Sequence, residues 1–104
     1  MKKIIDRKLY DTETATEIAE VSNGLSCSDF NHCTETLYKT KRGVFFLHGV
    51  GGAHSRYSES LGNNSRGGGE NIIPYSKEEV IDWLEENDLV STLMEHFPDI
   101  IEEA

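Results

Sequence analysis

Residues 35–52, ETLYKTKRGVFFLHGVGG, contain two strand patterns joined by a turn. Residues 36–40 are rich in β-branched, aliphatic and aromatic side chains, which favour strands. Residues 44–47, VFFL, are the most apolar run of the chain. Gly43, which lies between the two patterns, can adopt the positive φ that a tight turn requires. We therefore predict a β-hairpin over residues 35–49 at the centre of a small sheet.

A second hairpin is predicted before this one. Residues 3–10, KIIDRKLY, have the character of a strand with a kink at Asp6-Arg7, where two polar residues interrupt the apolar pattern. Residues 16–21 alternate polar and apolar side chains with a period of two. The competing interpretation is a helix over residues 13–21, which the β-branched threonines in and beside it disfavour.

The segment after the central hairpin is rich in glycine. Residues 49–71 contain seven of the nine glycines in the chain, together with two neighbouring asparagines. Segments of this length without a strand or helix pattern are usually functional or mobile. We predict a flexible glycine-rich loop over residues 50–71, with Tyr57 as the large side chain able to anchor it.

The C-terminal third contains the clearest helix signal. Ile72-Ile73 before Pro74 is typical of an edge strand. Ser76 and Glu79 have the spacing of a capping box, which predicts a helix from Ser76 to Asn87. The apolar side of this helix comprises Val80, Ile81, Trp83 and Leu84.

A second helix is expected after the first. Asn87-Asp88 is predicted to end the first helix and cap the second, which ends at Pro98. One side of the second helix is predicted to be apolar and to comprise Leu89, Val90, Leu93, Met94 and Phe97.

Together these elements predict one α+β domain over residues 1–104, since the chain is too short for two cores. Residues 1–49 form two β-hairpins, 50–71 the glycine-rich loop, and 72–104 a short strand and acidic helices. A four- or five-stranded antiparallel sheet is packed by one or two C-terminal helices, the first of which covers one face. We expect Trp83 to face this sheet. One of Phe45 and Phe46 is buried against the helix, and the other is exposed or covered by a loop.

The net charge of −9 is concentrated in the C-terminal third. Residues 70–104 contain 11 acidic side chains and one basic one, a balance of 1 − 11 = −10, whereas residues 1–69 contain nine basic and eight acidic side chains. Such a surface repels nucleic acid and membranes and attracts basic protein surfaces. The alternative is that the charges only solubilise exposed helix faces.

Nothing in the composition indicates export or membrane insertion. No apolar run approaches the roughly 18 residues of a membrane span, and no signal-peptide pattern follows the first lysines. We expect a cytoplasmic protein of a bacterial host cell, in which Cys27 and Cys33 are reduced thiols.

No catalytic signature is present. Residues 48–52, HGVGG, are similar to the oxyanion loop of lipases and esterases, but the chain lacks the GxSxG elbow and the large sheet of that class. Residues 67–69, GGG, lack the GK[ST] of a phosphate-binding loop and favour a linker. We expect neither enzymatic activity nor a cofactor.

Metal binding is also disfavoured, although five side chains within residues 27–54 are of ligand type. Their spacing does not match the paired ligands of zinc sites, because the two cysteines are six residues apart. A Cys-His nucleophile and base pair lacks a third, orienting group. His96 is interpreted as a partly exposed helix residue. The five side chains are Cys27, His32, Cys33, His48 and His54.

Several segments share a pattern with known proteins, namely LYDTETA (9–15), SDF (28–30), ETLYKTKRGVFFLHGVGGA (35–53), SRYSES (55–60) and IIPYSKEEVIDWLEE (72–86). This pattern resembles small acidic proteins of bacterial mobile elements, a group that includes candidate anti-CRISPR proteins. The resemblance implies an inhibitor without catalytic motifs, and it assigns a role to no single residue.

The resulting expectation is a non-enzymatic anti-CRISPR protein that acts as a nucleic-acid mimic. Its acidic surface would occupy a basic nucleic-acid channel of a Cas effector subunit, without binding nucleic acid or membrane itself. The alternatives are a small structural or regulatory domain of a mobile element and, less favoured, a metal-dependent or Cys/His-dependent enzyme. The predicted partner-binding residues are Glu78, Asp82, Glu85, Glu86, Glu95, Arg56 and Tyr57.

Overall fold

The computed structural model describes residues 1–22, 31–53, 57–62 and 65–102. Two short strands come first, and a longer series of strands and two helices follows. The elements are β1 (Lys2–Ile5), β2 (Lys8–Asp11), β3 (Thr16–Ser22), β4 (Cys33–Lys39), β5 (Phe45–Gly51), β6 (Glu59–Gly62), β7 (Ser65–Gly67), β8 (Gly69–Tyr75), α1 (Lys77–Glu86) and α2 (Val90–His96), with a 3-10 turn at Pro98–Ile100.

The central sheet has four antiparallel strands in the order β3-β4-β5-β8, which confirms the predicted α+β fold. The predicted hairpin is β4-β5, and Gly43 in its turn has a φ of +84°. Leu47 of β5 pairs with Leu37 of β4 on one side and with Ile73 of β8 on the other. β8 is therefore the edge strand predicted before Pro74, and it is longer than Ile72-Ile73.

The N-terminal region differs from the prediction. Residues 3–10 are not one kinked strand, because the chain reverses at Asp6 and Arg7, which have φ values of +50° and +65°. Positive φ at both central residues is what a two-residue type I′ turn requires. β1 and β2 therefore pair with each other in a separate two-stranded sheet. β3 pairs with β4, so the predicted hairpin between residues 3–10 and 16–21 is wrong.

α1 covers one face of the central sheet, as predicted. The Glu79 N–H donates to Ser76 Oγ (3.2 Å), and the Ser76 N–H donates to Glu79 Oε1 (3.0 Å), so the capping box is present. Trp83 is buried on the side of α1 that faces the sheet, which confirms its predicted orientation. The core on this face comprises Leu37, Leu47, Val80, Trp83, Leu84, Leu93 and Phe97.

The opposite face of the sheet is covered by the β1-β2 hairpin, whereas the sequence predicted that a phenylalanine there would be exposed or covered by a loop. Phe46 is fully buried there together with Tyr10 of β2 and Ile72 of β8. The Tyr10 and Phe46 rings meet edge to face at 5.6 Å, and the Tyr38 ring stacks on Phe46 at 5.2 Å. Phe45 is only partly buried and packs toward the helices. The more deeply buried phenylalanine thus lies under the β1-β2 hairpin rather than under α1.

Most of the described part of the glycine-rich segment is in strands rather than in a loop. β6 and β7 pair as an antiparallel hairpin, and β8 begins at Gly69. Strand ladders use backbone groups, so a glycine-rich segment can pair without supplying side chains to a core. The predicted loop over residues 50–71 is therefore wrong for the residues that β5, β6, β7 and β8 contain, whereas residues 52–53 and 57–58 lie between strands; residues 54–56 and 63–64 lie outside the described ranges.

The junction between the helices also differs from the prediction. Asp88 has a φ of +54° and donates its N–H to the Glu85 carbonyl, while the Leu89 N–H bonds to the Leu84 carbonyl. These two bonds form a Schellman motif that ends α1, so Asp88 does not cap α2. Val90 and Met94 are exposed rather than part of an apolar face. No helix in the described part of the chain is long and apolar enough to cross a membrane.

Candidate functional site: the acidic face of α1

The side of α1 that faces away from the sheet carries four carboxylates. Because the inner side of the helix is fixed by its buried apolar residues, these four positions are all exposed. At about 100° per residue they fall within roughly a quarter to a third of the helix circumference. We call this set, Glu78, Asp82, Glu85 and Glu86, the acidic face.

Among the described residues, the acidic face has no ion-pair partner. The one ion pair among the described residues joins His48 and Glu70, and none of the four carboxylates takes part in it. Lys77 is the one basic side chain after Glu70, and its Nζ lies 5.8 Å from the centre of the Phe97 ring. No ion pair within the described ranges therefore neutralises the negative charge of the acidic face, and this charge attracts cations from solvent.

Glu95 is exposed on α2, the neighbouring helix. Leu93 and Phe97 are buried against the core and fix the orientation of this short helix. The structure thus places the predicted acidic residues on the exposed sides of two adjacent helices. Four lie together on α1, and Glu95 adds a fifth charge on α2.

A pocket of about 430 Å³ lies beside the acidic face. Asp82 and Glu86 belong to both the face and the pocket, so the two form one continuous acidic surface. Four of the seven residues that line the pocket are carboxylates. The lining residues are Glu35, Tyr75, Glu79, Asp82, Trp83, Glu86 and Asn87.

Glu35 of β4 joins this pocket to the core. Trp83 Nε1 donates to Glu35 Oε1 at 3.1 Å, and the Tyr57 hydroxyl donates to Glu35 Oε2. A half-buried carboxylate needs such donors because an unpaired one would be costly to bury. Glu35 was not predicted as a site residue, although the period of two from Leu37 places it on the helix-covered face of β4.

Tyr57, a predicted partner-binding residue, is only 6% exposed. It lies where the analysis expected an anchor, but its ring and hydroxyl contact Gly49 and Glu35 inside the fold. This burial leaves little of the side chain for contact with a partner, and the partner-binding role of Tyr57 stays a prediction from the sequence. Arg56, the other candidate in this segment, lies outside the described residues.

The histidine and cysteine residues do not converge in the described part of the chain, where no group of three or more potential metal ligands is present. His32 is buried with its Nε2 3.3 Å from Thr34 Oγ1, and His48 Nε2 lies 2.9 Å from Glu70 Oε2. His96 is partly exposed on α2. Cys27 and His54 lie outside the described residues.

The glycines after His48 do not form an open loop. Residues 48–51 belong to β5, which pairs with β4 on one side and β8 on the other. The backbone N–H groups of a strand that is paired on both sides donate to the neighbouring strands. They are therefore not free to bind an oxyanion.

No protein family model, curated protein or solved structure matches this chain. The resemblance to small acidic proteins of mobile elements therefore stays a prediction from the sequence. The acidic face and the pocket beside it are the basis of the functional proposal.

Proposed function

We propose that this chain is a non-enzymatic inhibitory protein that binds a basic, nucleic-acid-binding surface of another protein through its acidic face. The observation that carries the proposal is the exposure of four carboxylates on one side of α1 without an ion-pair partner among the described residues. Lys and Arg side chains that neutralise phosphates in such a surface would meet carboxylates instead.

The pocket beside the acidic face gives this contact a defined geometry. Glu79, Asp82 and Glu86 line its α1 side, while Glu35 is held from within by Trp83 and Tyr57. An arginine of the partner that enters the pocket would meet the exposed carboxylates of Asp82 and Glu86, next to the carboxylates of Glu35 and Glu79 that hydrogen bonds hold in place. Planar guanidinium groups bind carboxylates through two parallel hydrogen bonds, which favours arginine over lysine at this point.

The resemblance to candidate anti-CRISPR proteins supports a Cas effector subunit as the partner. The channels of such complexes are positively charged because they hold nucleic acid by its backbone. The net charge of −9 exceeds the magnitude of about 2 to 8 that is usual for the solubility of a small domain. This excess favours a binding role over a purely solubilising one.

The partner is tested by measuring binding of the full chain to a panel of purified Cas effector complexes of different types, at 50 and 300 mM salt. We expect at least one complex to bind, to lose nucleic-acid binding in the process, and to bind more weakly at 300 mM because salt screens charges between the surfaces. Failure to bind any complex would contradict the Cas assignment. Binding that does not depend on salt would contradict the electrostatic mechanism.

A further inference from the structure

A second concave surface lies between the β1-β2 turn and the β4-β5 turn. It is a groove of about 550 Å³, with basic side chains contributed by both turns. We call it the basic groove. Its lining comprises Arg7, Lys8, Leu9, Tyr10, Asp11, Thr14, Thr40, Lys41, Arg42 and Val44.

The charge of the basic groove is opposite to that of the chain as a whole. Four of the ten lysines and arginines line it, namely Arg7 and Lys8 from one turn and Lys41 and Arg42 from the other. All four are exposed, and none forms an ion pair within the described ranges. In a chain of net charge −9, four unpaired cations around one concavity concentrate positive potential and attract an anion.

The backbone at Arg7 has a conformation that is unusual for a long side chain. Arg7 has a φ of +65°, a conformation in which glycine is strongly favoured and a long side chain is disfavoured. Residues held in such conformations are concentrated at functional sites. The turn thus places an arginine at the groove where glycine would be the less strained residue.

The basic groove also contains a carboxylate and apolar side chains, which an inorganic anion would not contact favourably. Asp11 is 7% exposed, and its Oδ1 accepts the Glu13 N–H at 2.9 Å. Its other carboxylate oxygen has no hydrogen-bond partner among the described residues, which suits a hydroxyl donor of a ligand. Leu9 is 58% exposed at the groove and, with Val44, supplies apolar surface.

From these features we infer that the basic groove binds an organic phosphate of mononucleotide size. The two arginines suit the phosphate because each guanidinium group can donate two parallel hydrogen bonds to phosphate oxygens. Asp11 suits a sugar hydroxyl, and Leu9 and Val44 suit the flat, weakly polar face of a base. The volume lies within the range of about 300 to 1,000 Å³ that is typical of small-ligand sites. This site is separate from the acidic face and does not depend on the function proposed for that face.

The inference is tested by recording ¹⁵N NMR spectra of the full chain during titration with adenosine monophosphate, inorganic phosphate or a 12-nucleotide single-stranded DNA. We expect adenosine monophosphate to shift the amides of Arg7–Asp11 and Thr40–Arg42 with saturation. Inorganic phosphate should bind more weakly, because it engages neither Asp11 nor the apolar surface. Per phosphate group, the DNA should bind no more tightly than adenosine monophosphate.

A matched pair of variants removes two positive charges in different places. Arg7→Gly with Arg42→Gln removes the groove arginines, and the glycine fits the positive φ of the turn. Lys2→Gln with Lys77→Gln removes two charges outside the groove. The first variant should bind adenosine monophosphate about tenfold or more weakly, and the second should bind like wild type. The inference is overturned if the mononucleotide gives no saturable shifts, if both variants lose affinity equally, or if only the DNA binds.

Discussion

The ring of Tyr57 lies directly over Gly49 in the central strand of the sheet. A Cβ at Gly49 would overlap the ring and the hydroxyl of Tyr57, so the strand accepts this ring only where it has no side chain. Gly49 pairs with Glu35 across β4 and β5. The missing side chain thus lets the Tyr57 hydroxyl reach the Glu35 carboxylate, which also accepts the Trp83 indole N–H.

Gly49→Ala should therefore destabilise the protein by about 2 to 4 kcal/mol, because the added methyl group displaces a buried ring and breaks its hydrogen bond. Urea unfolding monitored by circular dichroism gives the change in the free energy of unfolding. The same substitution in a Tyr57→Ala background is the control. If the alanine costs as much there as in wild type, contact with Tyr57 is not the cause.

Trp83→Ala should destabilise the protein by about 3 to 5 kcal/mol, because the ring is 4% exposed and its indole is a donor to Glu35. This loss is enough to unfold a domain of this size. Glu85→Lys, one turn or less away on the exposed side of α1, should change the melting temperature little. Equal melting temperatures for both variants and wild type would contradict the orientation of α1.

Asp88→Gly should stabilise the protein by about 0.5 to 1 kcal/mol, because Asp88 occupies the left-handed position of the Schellman motif that glycine favours. The melting temperature measures the effect. Asp88→Ser removes the same charge and keeps a side chain, so it separates the backbone effect from the charge. A serine variant as stable as the glycine variant would show that charge alone is responsible.

Alkaline pH should weaken the fold through Tyr38. Burial raises the pKa of Tyr38 above its usual value near 10, and the neighbouring carboxylates Glu17 and Glu20 raise this pKa further. Because the folded state holds the proton more tightly, this contribution is constant below the unfolded pKa and falls as pH rises through the folded pKa. The stability lost between pH 9 and pH 11 should be smaller for Tyr38→Phe than for wild type. Equal losses would contradict the pKa assignment.

The parts of the fold that were predicted from sequence rest on local chemistry. The Ser76-Glu79 capping box and the β4-β5 hairpin depend on residues a few positions apart, so their patterns were sufficient. The reversal at Asp6-Arg7 was missed because Arg7 stands where the usual Asp-Gly signal of a type I′ turn has glycine. β8 was assigned as an edge strand, but its pairing with β5 depends on contacts between distant residues.

The candidate site likewise has one part that follows from local sequence and one part that depends on distant residues. The exposed carboxylates of α1 follow from helix periodicity once the buried side of the helix is known. The pocket depends on Glu35, which lies 48 residues from its indole donor Trp83. The burial of Tyr57 was also not predictable from the sequence, since it depends on the absence of a side chain at Gly49. Neither contact leaves a signal in neighbouring residues.

The most direct test of the proposed function compares two charge-reversed variants for binding to an effector complex that binds wild type. The first is Asp82→Lys, Glu85→Lys and Glu86→Lys on the acidic face. The second is Glu13→Lys, Glu17→Lys and Glu20→Lys, three exposed acidic residues elsewhere. Both change the net charge by 3 × 2 = 6 units, and circular dichroism verifies that each variant is folded.

Binding of the acidic-face variant should be abolished, with much of the loss in the association rate, because opposite charges on the two surfaces steer the encounter. The second variant should keep most of the wild-type affinity, and substitutions at Lys39, Lys41 and Arg42 should matter less than those on α1. If the folded acidic-face variant binds and inhibits as well as wild type, the acidic face is not the binding site and the proposed function is wrong.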